Sequence, residues 1–505
     1  MMTWENYFSY NRDFNKKHSL GVTLLQSIQQ DLQEDLSGKV QKLPSDILKY
    51  YDLASGLMID GVGSDYIKWN MASFMGRVNY GYMGRYLLTL SARYDGSSRL
   101  AEGHKWVLFP SAALAWRISD EPFMKDLVWL DNLKLRVGYG KTGNSAVSPY
   151  QTKGQLALRH YVFNNGSSEY IGYAPSVMAN DQLTWETTDQ WNVGVDFGFL
   201  KNRINGTVEF YLQNTKDLLL KRQLPVVSGF SSVMSNVGST RNKGIEITLN
   251  TRNIMNRNFT WSTDLTFSAN KEEIVELYNG KTDDVGNLWF IGQPIDVYYN
   301  YKKIGIWQNT ENDLAEMAKF NEKGANFKPG SIRLEDVDGD YKITEEDKQI
   351  LGSVRPKFVA SMVNNFEFKG FDLSVFLYAS VGGLLRNNIE FMEKPGRGNT
   401  VKVDYWTSTN PTNAFPRPSV DVEKLDYIST LGYDKADFLR IRNITLGYTL
   451  PEMWSKKVLM DKIRIYLSAN NPAIFTNFTG IDPEGANGRT APSYSTWMFG
   501  INLSM

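Results

Sequence analysis

The chain has 505 residues, and its 55 basic and 55 acidic side chains give a formal net charge of zero. This balance provides no global field that would attract nucleic acid or acidic lipid, so we expect no nucleic-acid partner. The mean hydropathy of −0.37 is typical of a soluble protein. No apolar run approaches the roughly 18–20 residues of a membrane-spanning helix, and no N-terminal signal peptide is visible.

The residue types also argue against enzymatic chemistry. Cysteine is absent, which excludes disulfides, thiolate metal sites and cysteine nucleophiles. His18, His104 and His160 lie far apart and have no metal-ligand or triad spacing. No Gly-rich loop precedes a helix, which argues against nucleotide binding. Glycoside hydrolysis is the enzymatic alternative because it needs only two carboxylates, but no carboxylate pair has a distinctive motif. We therefore predict that the chain is not an enzyme.

Alternation of apolar and polar residues recurs along the chain and predicts an all-β protein of about 15 strands. The predicted strands are 4–12, 18–30, 70–82, 86–97, 105–118, 131–144, 182–199, 203–217, 237–251, 257–270, 357–368, 371–381, 436–449, 461–471 and 494–505. Helical periodicity predicts only two short helices, at 119–127 and about 311–320. Residues 295–308 are assigned to a loop, because a crossing there would place long loops on both sides of the sheet.

The predicted strands are unusually long and have two different faces. In one of them Leu373, Val375 and Leu377 alternate with Asp372 and Ser374. Strands of about 10 residues, with one apolar and one polar face and aromatic residues near their ends, are typical of a transmembrane antiparallel β-barrel. The apolar face would contact outer-membrane lipid and the polar face a wet lumen. Half of each strand is then polar, which explains the low mean hydropathy.

Short and long connections alternate along the chain. The short ones are 13–17, 83–85, 200–202, 252–256 and 369–370. The long ones are about 31–69, 145–181, 218–236, 271–356, 381–435 and 472–492. Outer-membrane barrels have short periplasmic turns and long extracellular loops, so this pattern predicts that all the long connections lie on the extracellular side.

The odd strand count predicts an incomplete barrel over residues 1–505. With 15 strands the first and the last run in the same direction, so an all-antiparallel sheet cannot close on itself. Bacterial barrels have even strand numbers, and the plugged outer-membrane transporters have about 22. We therefore expect about seven N-terminal strands and the plug domain to be absent from this chain.

Six strings of the sequence carry a family resemblance. They are LSARYDGSSRLAEGHKW (90–106), NLKLRVGYGKTGN (132–144), LTWETTDQWNVGVDFGFLKNRINGTVEFY (183–211), NVGSTRNKGIEITL (236–249), ADFLRIRNITLGYTLP (436–451) and STWMFGINLSM (495–505). In sequence and spacing they resemble the C-terminal barrel portion of the SusC/RagA family of TonB-dependent outer-membrane transporters. That family usually ends in Phe, whereas this chain ends in Met505.

The resemblance implies import of large nutrients, either glycans or peptides, across the outer membrane of a Gram-negative bacterium. It also implies a SusD-like surface lipoprotein that closes over the mouth of the barrel, and TonB acting through a plug domain. We expect neither a plug nor a TonB-contacting segment within this sequence. We therefore expect a missing N-terminal barrel and plug segment, from the same gene or from a separate chain, to be a partner.

An acidic loop, DVDGDYKITEED, is the candidate metal site. Counted as a 12-residue calcium loop, its ligand positions 1, 3, 5, 7, 9 and 12 are occupied by Asp336, Asp338, Asp340, Lys342, Thr344 and Asp347. Ca²⁺ prefers clustered oxygen ligands, and Lys342 would contribute its backbone carbonyl. Tyr341 replaces the usual Gly, and Asp347 replaces the usual Glu. The alternative is a solvated acidic turn, and a bound Ca²⁺ would be structural.

Aromatic loop residues are the candidates for substrate binding, because the resemblance implies aromatic platforms at the mouth. The candidates are Trp289, Phe290, Tyr298, Tyr299, Trp307, Tyr405 and Trp406, with Tyr161 and Tyr170 in another loop. The alternative for each is a place in an interfacial aromatic belt, in a loop core or against a lid.

Charged residues also alternate onto the predicted lumen face. They are Arg93, Asp196, Glu209, Glu246, Asp264 and Arg464. They would pair with the missing plug, with each other, or only with water. The adjacent Arg442 and Asn443 interrupt the alternation, which predicts a β-bulge.

Two other functions stay open on the sequence alone. Within transport, the alternative is a TonB-dependent siderophore receptor, although the six strings favour the SusC/RagA type. From another class, the alternative is a cell-surface binding or adhesion protein. Heat-modifiable migration on gels would distinguish a barrel from a soluble adhesin.

Overall fold

A single antiparallel sheet of 15 strands dominates the fold, in agreement with the alternation of the sequence. The structure is a computed structural model and describes residues 1–45, 47, 49–166, 168–387, 403–419, 425–485 and 493–505. Some loop residues considered above, within 388–402 and 420–424, lie outside the described residues.

In chain order the strands are β1 (Met2–Phe14), β2 (His18–Gln41), β3 (Met58–Tyr82), β4 (Tyr86–Ser97), β5 (Trp106–Arg117), β6 (Leu130–Asn144), β7 (Gln155–Phe163), β8 (Ser168–Val177), β9 (Glu186–Phe199), β10 (Ile204–Lys216), β11 (Leu219–Gln223), β12 (Ser232–Asn236), β13 (Ser239–Met255), β14 (Phe259–Glu276), β15 (Val297–Tyr301), β16 (Lys303–Ile306), β17 (Ile332–Leu334), β18 (Lys348–Ser353), β19 (Phe358–Phe368), β20 (Phe371–Val381), β21 (Leu384–Arg386), β22 (Tyr433–Lys435), β23 (Phe438–Thr449), β24 (Lys462–Thr476) and β25 (Thr496–Ser504).

The main sheet has the order β1-β2-β3-β4-β5-β6-β9-β10-β13-β14-β19-β20-β23-β24-β25. Each strand of the wall therefore pairs with the wall strands that precede and follow it in sequence, and the remaining strands form small two-stranded sheets in the long connections. The described α-helices are α1 (Glu311–Glu322) and α2 (Glu452–Ser455). No helix among the described residues is long and apolar enough to cross a membrane.

The two faces of the sheet differ in the way that the sequence predicts. On one face, cross-strand rows such as Leu446, Leu467 and Phe499 are exposed at the molecular surface. On the other face polar side chains bond to one another: Thr445 Oγ1 donates to Asn443 Oδ1 at 2.9 Å. The side chains of the apolar row cannot form hydrogen bonds with water, so contact with lipid is more favourable for them than exposure to water.

The short connections are tight turns. Between β19 and β20, Lys369 and Gly370 both have positive φ, at 46° and 89°. Positive φ at both central residues is the type I′ geometry, whose twist matches the right-handed twist of paired strands. This turn fixes the register that pairs Phe368 with Phe371.

Two expectations about local structure are wrong. Residues 119–127 do not form a helix but two 3-10 turns, Ile118–Asp120 and Pro122–Met124. The cause is Pro122, which disfavours helical geometry at the preceding residue, and Glu121 is extended (φ −74°, ψ 147°). The helix predicted at 311–320 is confirmed as α1.

The second error concerns the segment 31–69, which is not a loop for most of its length. β2 and β3 stay paired up to Gln41 and Met58, well beyond the end of β4, which leaves a two-stranded ribbon standing above the sheet. Its alternation is weaker than in the wall, and Leu36, in the middle of its first strand, is 85% exposed. In contrast, residues 295–308 lie outside the wall as predicted, because β15 and β16 pair with β18 and β17.

The predicted β-bulge at Arg442 and Asn443 is confirmed. In the ladder between β20 and β23, Leu377 pairs with Ile441 and the adjacent Phe376 pairs with Asn443, so Arg442 is the extra residue. The extra residue restores the inward position of the polar side chains after Ile441. Within the described residues β1 and β25 are the two edges of the sheet, and no ladder joins them.

Candidate functional site

The long connections after β14 and β20 fold into a compact assembly, which we call the outer-loop assembly (277–357 and 403–437). It contains two short two-stranded sheets, β15 with β18 and β16 with β17, and Ile306, Ile332 and Leu334 of the second sheet are buried. One core cluster consists of Ile306, Ile332, Leu334, Trp406, Ile428 and Leu431. These loops thus have a hydrophobic core of their own and a defined shape.

Helix α1 closes the second core cluster of the outer-loop assembly. Thr310 caps its N-terminus by accepting a hydrogen bond from Asp313 N. Met317 and Phe320 lie on the buried face and pack with Trp307 and Phe327. The rings of Trp307 and Phe320 meet edge to face, with centroids 5.9 Å apart.

The acidic loop brings three of the six predicted metal ligands together. Carboxylate oxygens of Asp336, Asp338 and Asp340 all lie within 4.8 Å of one another. Asp336 accepts hydrogen bonds from Gly339 N and Tyr341 N, which curls the backbone around the cluster. Carboxylates at this spacing repel one another unless a cation lies between them.

Tyr341 adopts the backbone conformation that calcium loops normally assign to Gly. Its φ is +63°, in the left-handed region. Side-chain packing holds it there, since the Tyr341 ring lies edge to face on Phe320 and Lys319 Nζ is 5.0 Å from its centroid. The departure from Gly therefore leaves the sharp turn intact, at a cost in strain that the packing offsets.

Asp347 and Thr344 have structural partners of their own, and so are not part of the three-carboxylate cluster. Asp347 is 0% exposed, and its carboxylate accepts hydrogen bonds from Val337 N and Thr344 N. Thr344 Oγ1 in turn accepts from Glu346 N. Lys342 donates its backbone N–H to Asp340 Oδ1 at 2.7 Å. The hydrogen bonds of Asp347 to Val337 N and Thr344 N therefore tie the two ends of the acidic loop together.

The seven aromatic candidates separate into buried and accessible residues. Phe290, Trp307 and Trp406 are only 6%, 1% and 5% exposed. Because other side chains of this chain cover their rings, these residues belong to loop cores, and we no longer propose that they bind a ligand. Tyr405 is 43% exposed. Trp289, Tyr298 and Tyr299 are partly exposed at the surface of the same assembly, and Tyr161 and Tyr170 are exposed on the β7–β8 hairpin.

Charged residues of the polar face pair with one another. Asp196 and Glu209 both accept from Arg136, at 3.0 and 3.2 Å. Arg464 Nε donates to Asp372 Oδ1 at 2.9 Å, and Arg93 Nε to Asp95 at 2.8 Å. One member of each pair was predicted to lie on this face. Arg136 was not among the predicted residues, although its alternation with Lys134 places both on the polar face.

A buried ion network ties the last long connection to the sheet, and none of its residues was predicted to belong to a site. Arg440 is 2% exposed and contacts Asp482 Oδ1 at 2.7 Å and Glu484 Oε2 at 2.9 Å. Asp482 also accepts from Ser493. The pKa of Asp482 is lowered: burial opposes this, and hydrogen bonds from Ser493, Glu484 N and Arg440 outweigh it. No spacing in the sequence signals this pairing across 42 positions.

Comparison with known proteins identifies the architecture. Residues 2–472 match the family model described as TonB dependent receptor-like, beta-barrel. TonB-dependent receptor P3 of Formosa agariphila is 32% identical over 99% of this chain and 52% of its own length. TonB-dependent receptor SusC of Bacteroides thetaiotaomicron is 32% identical over 86% of this chain and 43% of its own. The chain thus spans about half the length of the curated relatives that it matches.

Solved structures agree with this comparison. The RagAB peptide importer in the open-open state superposes with a TM-score of 0.82 at 25% identity, covering all of this chain and 54% of the matched one. The RagAB peptide transporter gives a TM-score of 0.83 at 24% identity, covering 99% and 55%. The 15-stranded sheet is therefore the fold of part of such a barrel.

Proposed function

The chain belongs to the TonB-dependent receptor-like β-barrel family, and from that premise we propose that it forms a large part of the wall of an outer-membrane transporter that imports oligosaccharides or peptides. The observation that carries the proposal is the two-faced sheet whose long connections all lie at one end. A wall with one apolar and one polar face suits lipid outside and a wet lumen inside. The resemblance to SusC and to the RagAB importer supports nutrient import.

The proposed transporter also needs partner segments or chains that complete the barrel and supply energy. β1 and β25 are long edge strands with unpaired backbone groups, and such edges need partner strands within a membrane. We infer that an N-terminal barrel and plug segment, in the same or a separate polypeptide, pairs with them and receives energy from TonB. A SusD-like surface lipoprotein over the outer-loop assembly follows from the likeness to SusC. The family resemblance gives no catalytic role, so we propose none.

Deletion of the gene in its own bacterium tests the transport proposal. Cells are given a tryptic digest of protein or a mixture of oligosaccharides, and depletion of each compound from the medium is followed by mass spectrometry. We expect at least one class of compound to be depleted by wild-type cells and spared by the deletion strain and by a strain that lacks TonB. Unchanged depletion in the deletion strain would contradict the proposal.

We also propose that the accessible aromatic residues contact the substrate at the mouth. Tyr405, Trp289, Tyr298 and Tyr299 all lie in the outer-loop assembly, and aromatic faces bind sugar rings and peptide side chains alike. Alanine substitutions of these residues are expected to weaken substrate binding while the assembly stays folded.

A structural Ca²⁺ in the acidic loop is the last part of the proposal. Asp336, Asp338 and Asp340 would supply carboxylate oxygens and Lys342 its carbonyl, with water completing the shell. Each carboxylate keeps free lone pairs after its backbone hydrogen bonds. Asp347 would act indirectly, by holding the loop closed.

Limited proteolysis tests the Ca²⁺ site. Millimolar Ca²⁺ is expected to slow cleavage within 325–350 in the wild-type protein, and the Asp338→Asn variant to lose this protection. The Asp283→Asn variant, which changes an exposed aspartate elsewhere in the same connection, serves as the matched control. Cleavage that is identical with Ca²⁺ and with a chelator would refute the site.

A further inference from the structure

A cavity of about 550 Å³ lies where three outer segments meet. Its walls come from β16 and β18, from the segment that leads into β22, and from Thr479 in the last long connection. Pockets of this size hold ligands of a few residues or sugar units. Several lining residues have no role in the site described above.

Lys303 places an unbalanced positive charge at this cavity. Its Nζ donates to the backbone carbonyls of Asn413 and Ala414, at 2.8 and 2.6 Å. An ammonium has three protons, so one remains for a further acceptor. Among the residues that the structure describes, no carboxylate forms an ion pair with Lys303, whereas the adjacent Lys302 pairs with Glu335 at 3.0 Å. Burial lowers the pKa of Lys303, so an anionic partner would stabilise its charged form.

Asp434 places an unbalanced negative charge at the same cavity. Its carboxylate accepts a hydrogen bond from Thr479 Oγ1, which is a neutral partner. Within the described ranges no lysine or arginine forms an ion pair with Asp434. The cavity therefore presents one cation and one anion, each lacking a charged partner of its own, and a ligand with both charges would satisfy both.

The rest of the lining favours amino-acid side chains over sugar rings. Aliphatic and aromatic residues form much of it, namely Ile350, Leu351, Leu384, Ala414, Phe415 and Leu431. Gln349 Nε2 donates to Glu335, and the Tyr433 hydroxyl accepts from Asn300 Nδ2. The amide oxygen of Gln349 and the hydroxyl proton of Tyr433 can still bond a peptide backbone. Aliphatic walls offer little to a sugar, which stacks on flat aromatic faces.

We propose that this cavity binds a short peptide with free termini, its carboxylate on Lys303 and its ammonium on Asp434. The proposal deepens the proposed function, on which it rests, because it makes the cavity a peptide subsite in the mouth of the transporter. It assigns the peptide class, rather than the glycan class, to this particular site.

Calorimetry on the protein purified from outer membranes, with the chains that accompany it there, tests the proposal. The probe is the tripeptide Ala-Leu-Ala in four forms: free, N-acetylated, C-amidated and blocked at both ends. We expect the free form to bind, and each blocked terminus to weaken the affinity by about tenfold or more, since each removes one charge-assisted contact. This comparison needs no variant, so it holds even if a substitution impairs folding.

Two variants assign the termini to the residues. Lys303→Met should weaken the free peptide about tenfold and leave the C-amidated form unchanged, and Asp434→Asn should do the same with respect to the N-acetylated form. Lys323→Met, an exposed lysine at the end of α1, is the control and should change nothing.

Several results would overturn the proposal. Equal affinities for all four peptide forms, or no binding at millimolar peptide, would each do so. If Lys303→Met weakened the free and amidated peptides equally, Lys303 would only tether the 413–414 backbone. Displacement of the peptide by a short oligogalacturonide of higher affinity would assign the cation to an acidic glycan instead. Binding is measured without transport, so failure here is distinguishable from failure of the uptake experiment.

Discussion

Tyr405 and Trp406 are consecutive aromatic residues in opposite environments. Trp406 is buried in a core cluster with Ile306 and Ile332, and its Nε1 donates to Gln308 Oε1 at 2.8 Å. Tyr405 projects to solvent beside it. Composition and spacing cannot separate the two, because both follow the same pattern of loop aromatics and only the folded loop decides which one is covered.

Substitution of this pair by alanine separates stability from binding. Trp406→Ala removes a large buried side chain and should destabilise the outer-loop assembly by about 3–5 kcal/mol. Tyr405→Ala should change its stability by no more than about 0.5 kcal/mol. Rates of limited proteolysis within 403–419 measure both effects. Equal protease sensitivity of the two variants would contradict the assignment of Trp406 to the core.

Asp404 gives the loop before β22 a pH dependence. Hydrogen bonds from Thr412 Oγ1 and then Asn410 Nδ2 lower the pKa of its carboxyl. Because its pKa is lowered in the folded loop, the ionised Asp404 carboxylate stabilises the loop at pH values above the ordinary pKa of about 4. This stabilisation is lost as the pH falls through the lowered pKa. We therefore expect backbone amides in 404–412 to lose protection only in that acidic window.

Hydrogen exchange, corrected for the intrinsic effect of pH, checks this expectation. In the Asp404→Asn variant the protection of 404–412 should no longer change across the acidic window, since the titrating group is gone. Protection that falls on the alkaline side instead would show that another group controls the turn.

At the scale of elements, the bulge at Arg442 sets the register of the last strands. Side chains alternate with a period of two, so the extra residue decides which face Phe438 and Arg440 occupy. The bulge also allows Arg440 to reach Asp482 and Glu484 from the polar face. The break in alternation was visible in the sequence, but its purpose was not, because the partners lie in a separate loop.

Deletion of Arg442 should therefore disrupt assembly rather than shorten a loop. Residues 438–441 would move to the opposite face, which would direct the buried Arg440 toward lipid, at a cost of several kcal/mol. We expect loss of the heat-modifiable band on gels after extraction from membranes. Arg442→Ala keeps the residue count and should retain the band; loss of the band in this variant too would contradict a role in register.

Wall strands were predictable and loops were not, for a physical reason. Each wall strand has lipid on one face and the wet lumen on the other, so its alternation can be recognised within the strand itself. The alternation of Leu373, Val375 and Leu377, for example, shows which face they occupy even when the neighbouring strands are unknown. The loop cores, the Lys303 cavity and the Arg440 network depend on contacts between distant segments. The β2–β3 ribbon fell between these cases, since it keeps strand pairing while it leaves the wall and its alternation weakens.

At the scale of the whole molecule, the architecture is defined by the single 15-stranded sheet. The strand order of the wall follows the sequence order, apolar residues such as Leu446, Leu467 and Phe499 are exposed on one face, and the loops with their own cores lie at one end. The lack of cysteine, which excluded thiol chemistry at the outset, also makes the arrangement open to a direct test.

Labelling of single-cysteine variants in intact cells tests this central claim most directly. The chain has no cysteine of its own, so a membrane-impermeant maleimide reports only the introduced residue. Leu36→Cys on the ribbon and Tyr161→Cys on the β7–β8 hairpin should label without treatment of the cells. Lys17→Cys and Arg257→Cys, in the short turns, should label only after the outer membrane is permeabilised. Equal labelling of both sets in intact cells, or labelling of the short turns alone, would contradict a wall that spans the outer membrane with its long loops outside.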